Sequence, residues 1–100
     1  MKLNEKSYKK ILDLCFKGDK YLEKHNYINA IKIYAKALAL VPFPKEMWEA
    51  STWIYSALGE ALFLNLNYRN ALCEFLNAYN CPDGTSNPFI NLRMDSVFIK

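Results

Sequence analysis

An all-α fold of antiparallel helix-turn-helix repeats is what this sequence predicts, and three features carry that expectation. Apolar residues recur at helical spacing: Tyr8, Ile11, Leu12 and Cys15 stand at i, i+3, i+4 and i+7 and form one stripe. The segment Asn26-Tyr27-Ile28-Asn29-Ala30-Ile31 returns as Asn67-Tyr68-Arg69-Asn70-Ala71-Leu72, and self-similarity of this kind marks a stack of equivalent units. No stretch carries a strand signal.

The elements follow in chain order. The first helix carries the stripe just described and ends at His25-Asn26, where asparagine is expected to take the left-handed backbone that folds two helices back antiparallel. Ala30, Ile33, Tyr34 and Ala37 repeat the helical spacing in a second helix, which Pro42 and Pro44 end. A third helix is expected to open at Pro44-Lys45-Glu46, with proline and an acid in its first turn, and to run to Leu64. Asn65-Leu66-Asn67 makes the next turn and a fourth helix spans Tyr68 to Asn80. Pro82-Asp83-Gly84 then breaks the chain. Asn87 caps a fifth helix whose first position is Pro88. The expected organisation is a single domain with repeat 1 over 4–42, repeat 2 over 44–82 and a partial repeat 3 over 87–100.

The correspondence between the two units extends beyond the repeated hexapeptide. At the same offset Gly18 meets Gly59, Tyr34 meets Phe75 and Ala37 meets Ala78. These residues resemble the tetratricopeptide repeat, W-x₂-L-G-x₂-Y…A-x₃-F…P. The matches are Gly18, Tyr21, Ala30, Tyr34, Ala37 and Pro42 in the first unit. In the second they are Tyr55, Leu58, Gly59, Leu62, Ala71, Phe75 and Ala78, with Pro82 one residue early. Small residues sit where two helix backbones approach, and the aromatic fills the space above them. A bulky side chain at Ala30 or Ala71 is expected to overpack that contact, at a cost of about 1–3 kcal/mol.

The sequence also departs from that pattern. The two glycines are spaced more widely than a standard repeat, and the excess falls around Val41–Thr52. The expectation is a third helix lengthened at its start by two turns that carry Met47, Trp48 and Ser51. The third unit is a fragment in which Phe89, Leu92, Arg93, Met94 and Phe98 resemble a first helix, with Asp95 where glycine is expected. That fifth helix is apolar nearly all round, whereas terminal repeats carry a polar outer face. Either the chain continues in a longer protein, or Phe89, Ile90, Val97 and Phe98 form a surface that a partner or a second copy covers.

By resemblance, the first helix of each pair lines a concave groove. Carried onto this sequence, the groove residues are Leu12, Cys15, Phe16, Asp19 and Glu23 in unit one, then Trp53, Ser56, Ala57, Glu60, Phe63 and Leu64 in unit two, and Phe89, Arg93 and Ser96 in unit three. Phe16, Asp19, Glu23, Trp53, Glu60, Phe63 and Arg93 are the chosen partner-binding set, because aromatic and arginine side chains dominate interface energetics. The clamp with which some tetratricopeptide domains hold acidic chaperone tails is not expected. Its places hold Cys15, Asp19, Ala57 and Phe89, and only Arg93 fits. Asp19 and Glu60 would repel an acidic tail and suit a basic or apolar partner.

Other function classes are excluded by what the chain lacks. It has 100 residues, a formal charge of +3 and one histidine, His25, at an expected turn. No Cys–His arrangement, glycine-rich phosphate loop or metal-ligand spacing occurs, so neither an enzyme nor a cofactor is expected. The basic residues are not interleaved with aromatics as nucleic-acid binding needs, and the lysines of the first quarter read as a solvated helix face. Three cysteines without a C-x-x-C pair, no signal-peptide h-region and no membrane span point to a cytoplasmic protein.

The expected function is therefore binding of another protein. Trp48–Trp53, Asn80–Gly84 and Asn87–Arg93 are similar to small bacterial tetratricopeptide proteins that stand beside contact-dependent toxins as immunity proteins. That resemblance implies a toxin domain as the partner. The alternative is a self-assembling scaffold that forms a homo-oligomer through the fifth helix.

Overall fold

The computed structural model describes residues 4–99, with side chains described as far as residue 95. Five helices succeed one another: α1 (Glu5–Glu23), α2 (Tyr27–Ala39), α3 (Glu49–Leu64), α4 (Tyr68–Tyr79) and α5 (Pro88–Ile99). A 3-10 turn at Lys45–Met47 leads into α3, and no strand occurs among the described residues. Each helix packs mainly on its neighbours in sequence, with a smaller contact between α3 and α5. The molecule measures 40 × 29 × 18 Å, so its thinnest dimension is two helices deep, each helix being about 10 Å across. Packing of this nearest-neighbour kind is that of stacked repeats.

The two hairpins α1–α2 and α3–α4 are built alike, and their equivalent residues lie 41 positions apart. His25 and Leu66 take positive φ, 62° and 66°. His25 N–H then donates to Leu22 O at 3.0 Å and Asn26 N–H to Tyr21 O at 2.9 Å; Leu66 to Phe63 and Asn67 to Leu62 repeat both distances. This pair of bonds is the Schellman closure of a helix C-terminus. The left-handed residue is thus His25, which corrects the expectation that asparagine would hold it. Asn26 has a different task. Its side chain accepts the N–H of Asn29 at 3.4 Å, and Asn67 accepts that of Asn70 at the same distance. A residue that caps the next helix needs negative φ, so the strain moves back one position.

Small residues and rings interlock at matching places. Gly18 faces the Tyr34 ring so closely that a Cβ there would stand 2.6 Å from Cε1. Gly59 faces Phe75 in the same way, at 2.8 Å. Both rings are fully buried, as are Ala30 and Ala71. The core runs in three clusters along the stack. Ile11, Ala37, Val41, Trp48 and Ile54 form the first; Ala30, Tyr34, Leu58 and Ala61 the second; Ala71 and Phe75 the third, with Leu62, Phe63 and Met94 against it.

The third helix is not lengthened at its start. Trp48 is extended (φ −106°, ψ 133°) and serves as the N-cap residue of α3. This break turns the indole inward, against Ile11, Ala37, Val41 and Ile54, while Met47 stays exposed. Burial of a large aromatic outweighs two more turns of helix, since its area alone contributes about 2–3 kcal/mol. Lys45 holds the turn by donating from its ammonium to Leu38 O at 2.9 Å and Val41 O at 2.5 Å. A cation there also complements the negative end of α2. The Phe43–Pro44 peptide is cis. Further along, the Thr52 hydroxyl donates to Pro82 O at 2.8 Å and ties α3 to the loop after α4. Asn87 caps α5 by accepting from Phe89 and Ile90 N–H at 2.9 and 3.2 Å.

Candidate partner-binding face

On α1 the positions Leu12, Phe16 and Glu23, and on α3 the positions Glu49, Trp53 and Leu64, are exposed along one stripe of each helix. Repeat register makes Leu12 equivalent to Trp53 and Asp19 to Glu60. Leu12 is 41 %, Trp53 43 % and Phe16 64 % exposed, high values for such large apolar side chains. The Lys20 ammonium stands 5.0 Å from the centre of the Phe16 ring, a contact that holds the ring without covering it. Asp19 is exposed yet engaged, since it accepts the Tyr34 hydroxyl across the α1–α2 contact. Cys15 is half-buried against the first core cluster. Ser56 donates its hydroxyl to Thr52 O at 2.7 Å, and Ala57 packs against the second cluster.

The other chosen residues serve inside the molecule. Arg93 Nη2 donates to Glu60 Oε2 at 2.8 Å, and Arg93 Nε lies 2.7 Å from Glu60 Oε1. The guanidinium centre is 4.8 Å from the Phe63 ring and 5.5 Å from the Phe89 ring. Phe63 meets Tyr68 edge-on at 5.4 Å, and Phe89 meets Phe75 at 6.2 Å. A close ion pair that carries one charge-assisted hydrogen bond and lies between two rings is a confined arrangement. It joins α5 to α3 and α4. Glu60 therefore does not present a free charge, which corrects the expectation that it would repel an acidic tail, and Arg93, expected in the partner-binding set, has its guanidinium engaged by Glu60. Ile90 is corrected as well, because it is fully buried and cannot belong to an external surface. Phe89 remains 39 % exposed. Ser96, Val97 and Phe98 lie outside the residues whose side chains are described.

A polar hollow of about 280 Å³ was not foreseen. It is lined by Glu46 beside α3, Tyr55 on α3, Asn77 on α4 and Asn80 and Cys81 after it. Burial and the Glu46 carboxylate push the Cys81 thiol up. Burial, followed by Cys81, Glu74 and Glu46, raises the Tyr55 phenol. Both groups are thereby kept protonated, the opposite of an activated nucleophile. Burial also raises Cys15, to about 11, with Asp19 adding to it.

Neither a family model, a curated protein nor a solved structure matches this chain. Among the described residues, no three His, Cys, Asp or Glu side chains gather where a metal ion could be held. No helix among them is long and apolar enough to cross a membrane.

The exposed set on α1 and α3 was named by the resemblance to tetratricopeptide repeats, whose first helices line a groove. That resemblance did not separate Phe16 and Trp53, which face outward, from Phe63 and Arg93, which face each other. The Glu60–Arg93 pair spans 33 positions, and no local signal reports such a contact. The hollow was illegible for the same reason.

Proposed function

We propose that this chain is a tetratricopeptide-type module that binds another protein through the outward stripes of α1 and α3. The observation that carries the reading is the exposure of Leu12, Phe16 and Trp53 at repeat-related positions of two successive hairpins. Rigid aromatic side chains flanked by charges are the side chains on which binding energy concentrates. Lys20, Asp19 and Glu23 border the apolar residues, so the partner surface is apolar with a mixed-charge rim. The carboxylate clamp has no place in this reading, because the arginine it would use is held by Glu60. The chain acts by occupying a surface and performs no chemistry of its own.

Within that reading, the partner is a toxin domain and the protein an immunity protein of a bacterial cell, neutralising the toxin in the cytoplasm by one-to-one coverage. The test is a pull-down with the wild-type chain and with the double variant Phe16→Ala/Trp53→Ala. One protein retained in equal amount by the wild type and lost by the variant supports the module. Immunity further requires that co-expression of the chain restores growth to cells making the captured protein. Retention of the same partner by the variant overturns the face assignment. Self-assembly is the second reading, favoured by exposed Phe89 and Leu92 on α5, and light scattering that shows a dimer dispersed by Leu92→Glu would establish it.

A further inference from the structure

The first hairpin also carries a surface of different character along α1 and α2. A shallow cleft of about 170 Å³ is lined by Lys17, Lys20, Tyr21 and Lys24 of α1. A second, of about 400 Å³, is lined by Tyr21, Asn29, Lys32, Ile33, Ala35 and Lys36. Tyr21 is common to both, so the two clefts adjoin across the α1–α2 contact. Five lysines surround them and no carboxylate lines either. The helix α2 contains no acidic residue at all, and the acids of α1 nearest the lysines, Asp13, Asp19 and Glu23, stand outside both linings. Among the described residues the only ion pair is Glu60–Arg93, so none of the five ammonium groups is neutralised. On α1 the lysines alternate with Asp13, Asp19 and Glu23 as on a solvated face, whereas α2 adds Lys32 and Lys36 with no acid among them. The floor of the clefts is apolar, formed by the Tyr21 ring, Ile33 and Ala35.

We infer that this double cleft docks a short acidic segment of another protein, with one apolar side chain of that segment seated beside Tyr21 and its carboxylates on the lysines. Charge complementarity selects the occupant. Five ammonium groups with no carboxylate in the lining call for an anion, and the apolar residues among them call for an apolar group beside it, which an acidic peptide supplies. Lys17 and Lys24 lie seven residues apart on one helix, about 10 Å at 1.5 Å per residue. An extended segment spans that length with three or four residues. The cleft meets the stripe of Leu12, Phe16 and Trp53 at Lys20, which lies over the Phe16 ring, while Lys24 and Lys32 belong to the cleft alone.

The experiment is a fluorescence-anisotropy titration of the full chain with a labelled ten-residue peptide, four aspartates and glutamates flanking one leucine. Saturable binding is expected. It should weaken about tenfold or more in Lys24→Glu/Lys32→Glu, where like charges face the peptide. It should also be lost in salt high enough to bring the screening length to about 3 Å. Lys24→Gln/Lys32→Gln should fall between, and circular dichroism should show all variants helical. Leu12→Ala/Trp53→Ala should bind the peptide like the wild type. No binding of the peptide, or equal binding by the charge-reversed variant, overturns the inference. So does tighter binding of a single-stranded oligonucleotide of equal charge, which would assign the cleft to nucleic acid.

Discussion

Gly18 shows how much one atom decides. A Cβ at this position would meet Tyr34 Cε1 at 2.6 Å, and the ring cannot swing aside because its hydroxyl is held by Asp19. Alanine improves helix propensity by about 1 kcal/mol, but overpacking costs about 1–3 kcal/mol. Gly18→Ala is therefore expected to lower the urea midpoint, and Tyr34→Phe/Gly18→Ala to recover part of the loss. Gly84→Ala should be worse, since its Cβ would stand 2.0 Å from Ala78 O and backbone cannot yield as a ring can. The same tyrosine sets a pH response. Burial, then the Asp19 carboxylate, raises its hydroxyl well above the ordinary value of 10.0. A group whose folded value is raised contributes stability that is complete below the unfolded value and is lost as pH rises toward the folded one. Stability should accordingly be level through neutral pH and fall above pH 10, with a smaller slope in Tyr34→Phe. Cys15, raised from 9.0 to about 11, adds to the same alkaline loss from pH 9 upward. At neutral pH a maleimide should therefore reach exposed Cys73 first and the protonated, half-buried Cys15 slowly.

Helices in this protein end on side chains as much as on backbone. Asn26 and Asn67 cap α2 and α4 with equal geometry, so each change to alanine should cost about 1 kcal/mol. The two losses should add, because the caps belong to different hairpins. The fifth helix depends on a different kind of contact. It is anchored by buried Ile90 and by Arg93 on Glu60 between two rings. Hydrogen bonds to charged groups contribute about 1.5–3 kcal/mol, so Arg93→Ala should speed amide exchange in α5 while α1 and α2 stay protected. Arg93→Lys should not restore protection, because an ammonium lacks the fork that meets both carboxylate oxygens. Unchanged α5 protection in Arg93→Ala would mean that the ion pair merely sits on the surface.

Across the whole molecule, two surfaces of opposite character lie on one hairpin pair. The outward stripe of α1 and α3 is apolar and the side of α1–α2 is basic. Because Phe16 is 64 % and Trp53 43 % exposed, Phe16→Ala/Trp53→Ala should lower the thermal midpoint only modestly, the Trp53 change more than the Phe16 change because over half of the indole is buried. Ile54→Ala, by contrast, empties the fully buried centre of the first cluster and should cost about 2–5 kcal/mol. A calorimetric comparison of these variants would show whether the face is free for a partner or needed by the fold.

Helix existence, helix order and the repeat were legible in the sequence, the start of α3 excepted. Those features rest on local spacing: the apolar period, asparagine before each second helix, proline after Asn87, and small residues at a common offset. Resemblance named the outward aromatics as well, within a set that was too large. Only the tertiary structure decided that Trp48 breaks the helix to reach the core, that His25 takes the left-handed turn, and that Arg93 belongs to Glu60. It alone placed Tyr21 between five lysines. The reason is physical. Local propensities differ by less than about 1 kcal/mol per residue, whereas burial of one ring or pairing of two distant charges contributes more, and such contacts exist only once the helices have met.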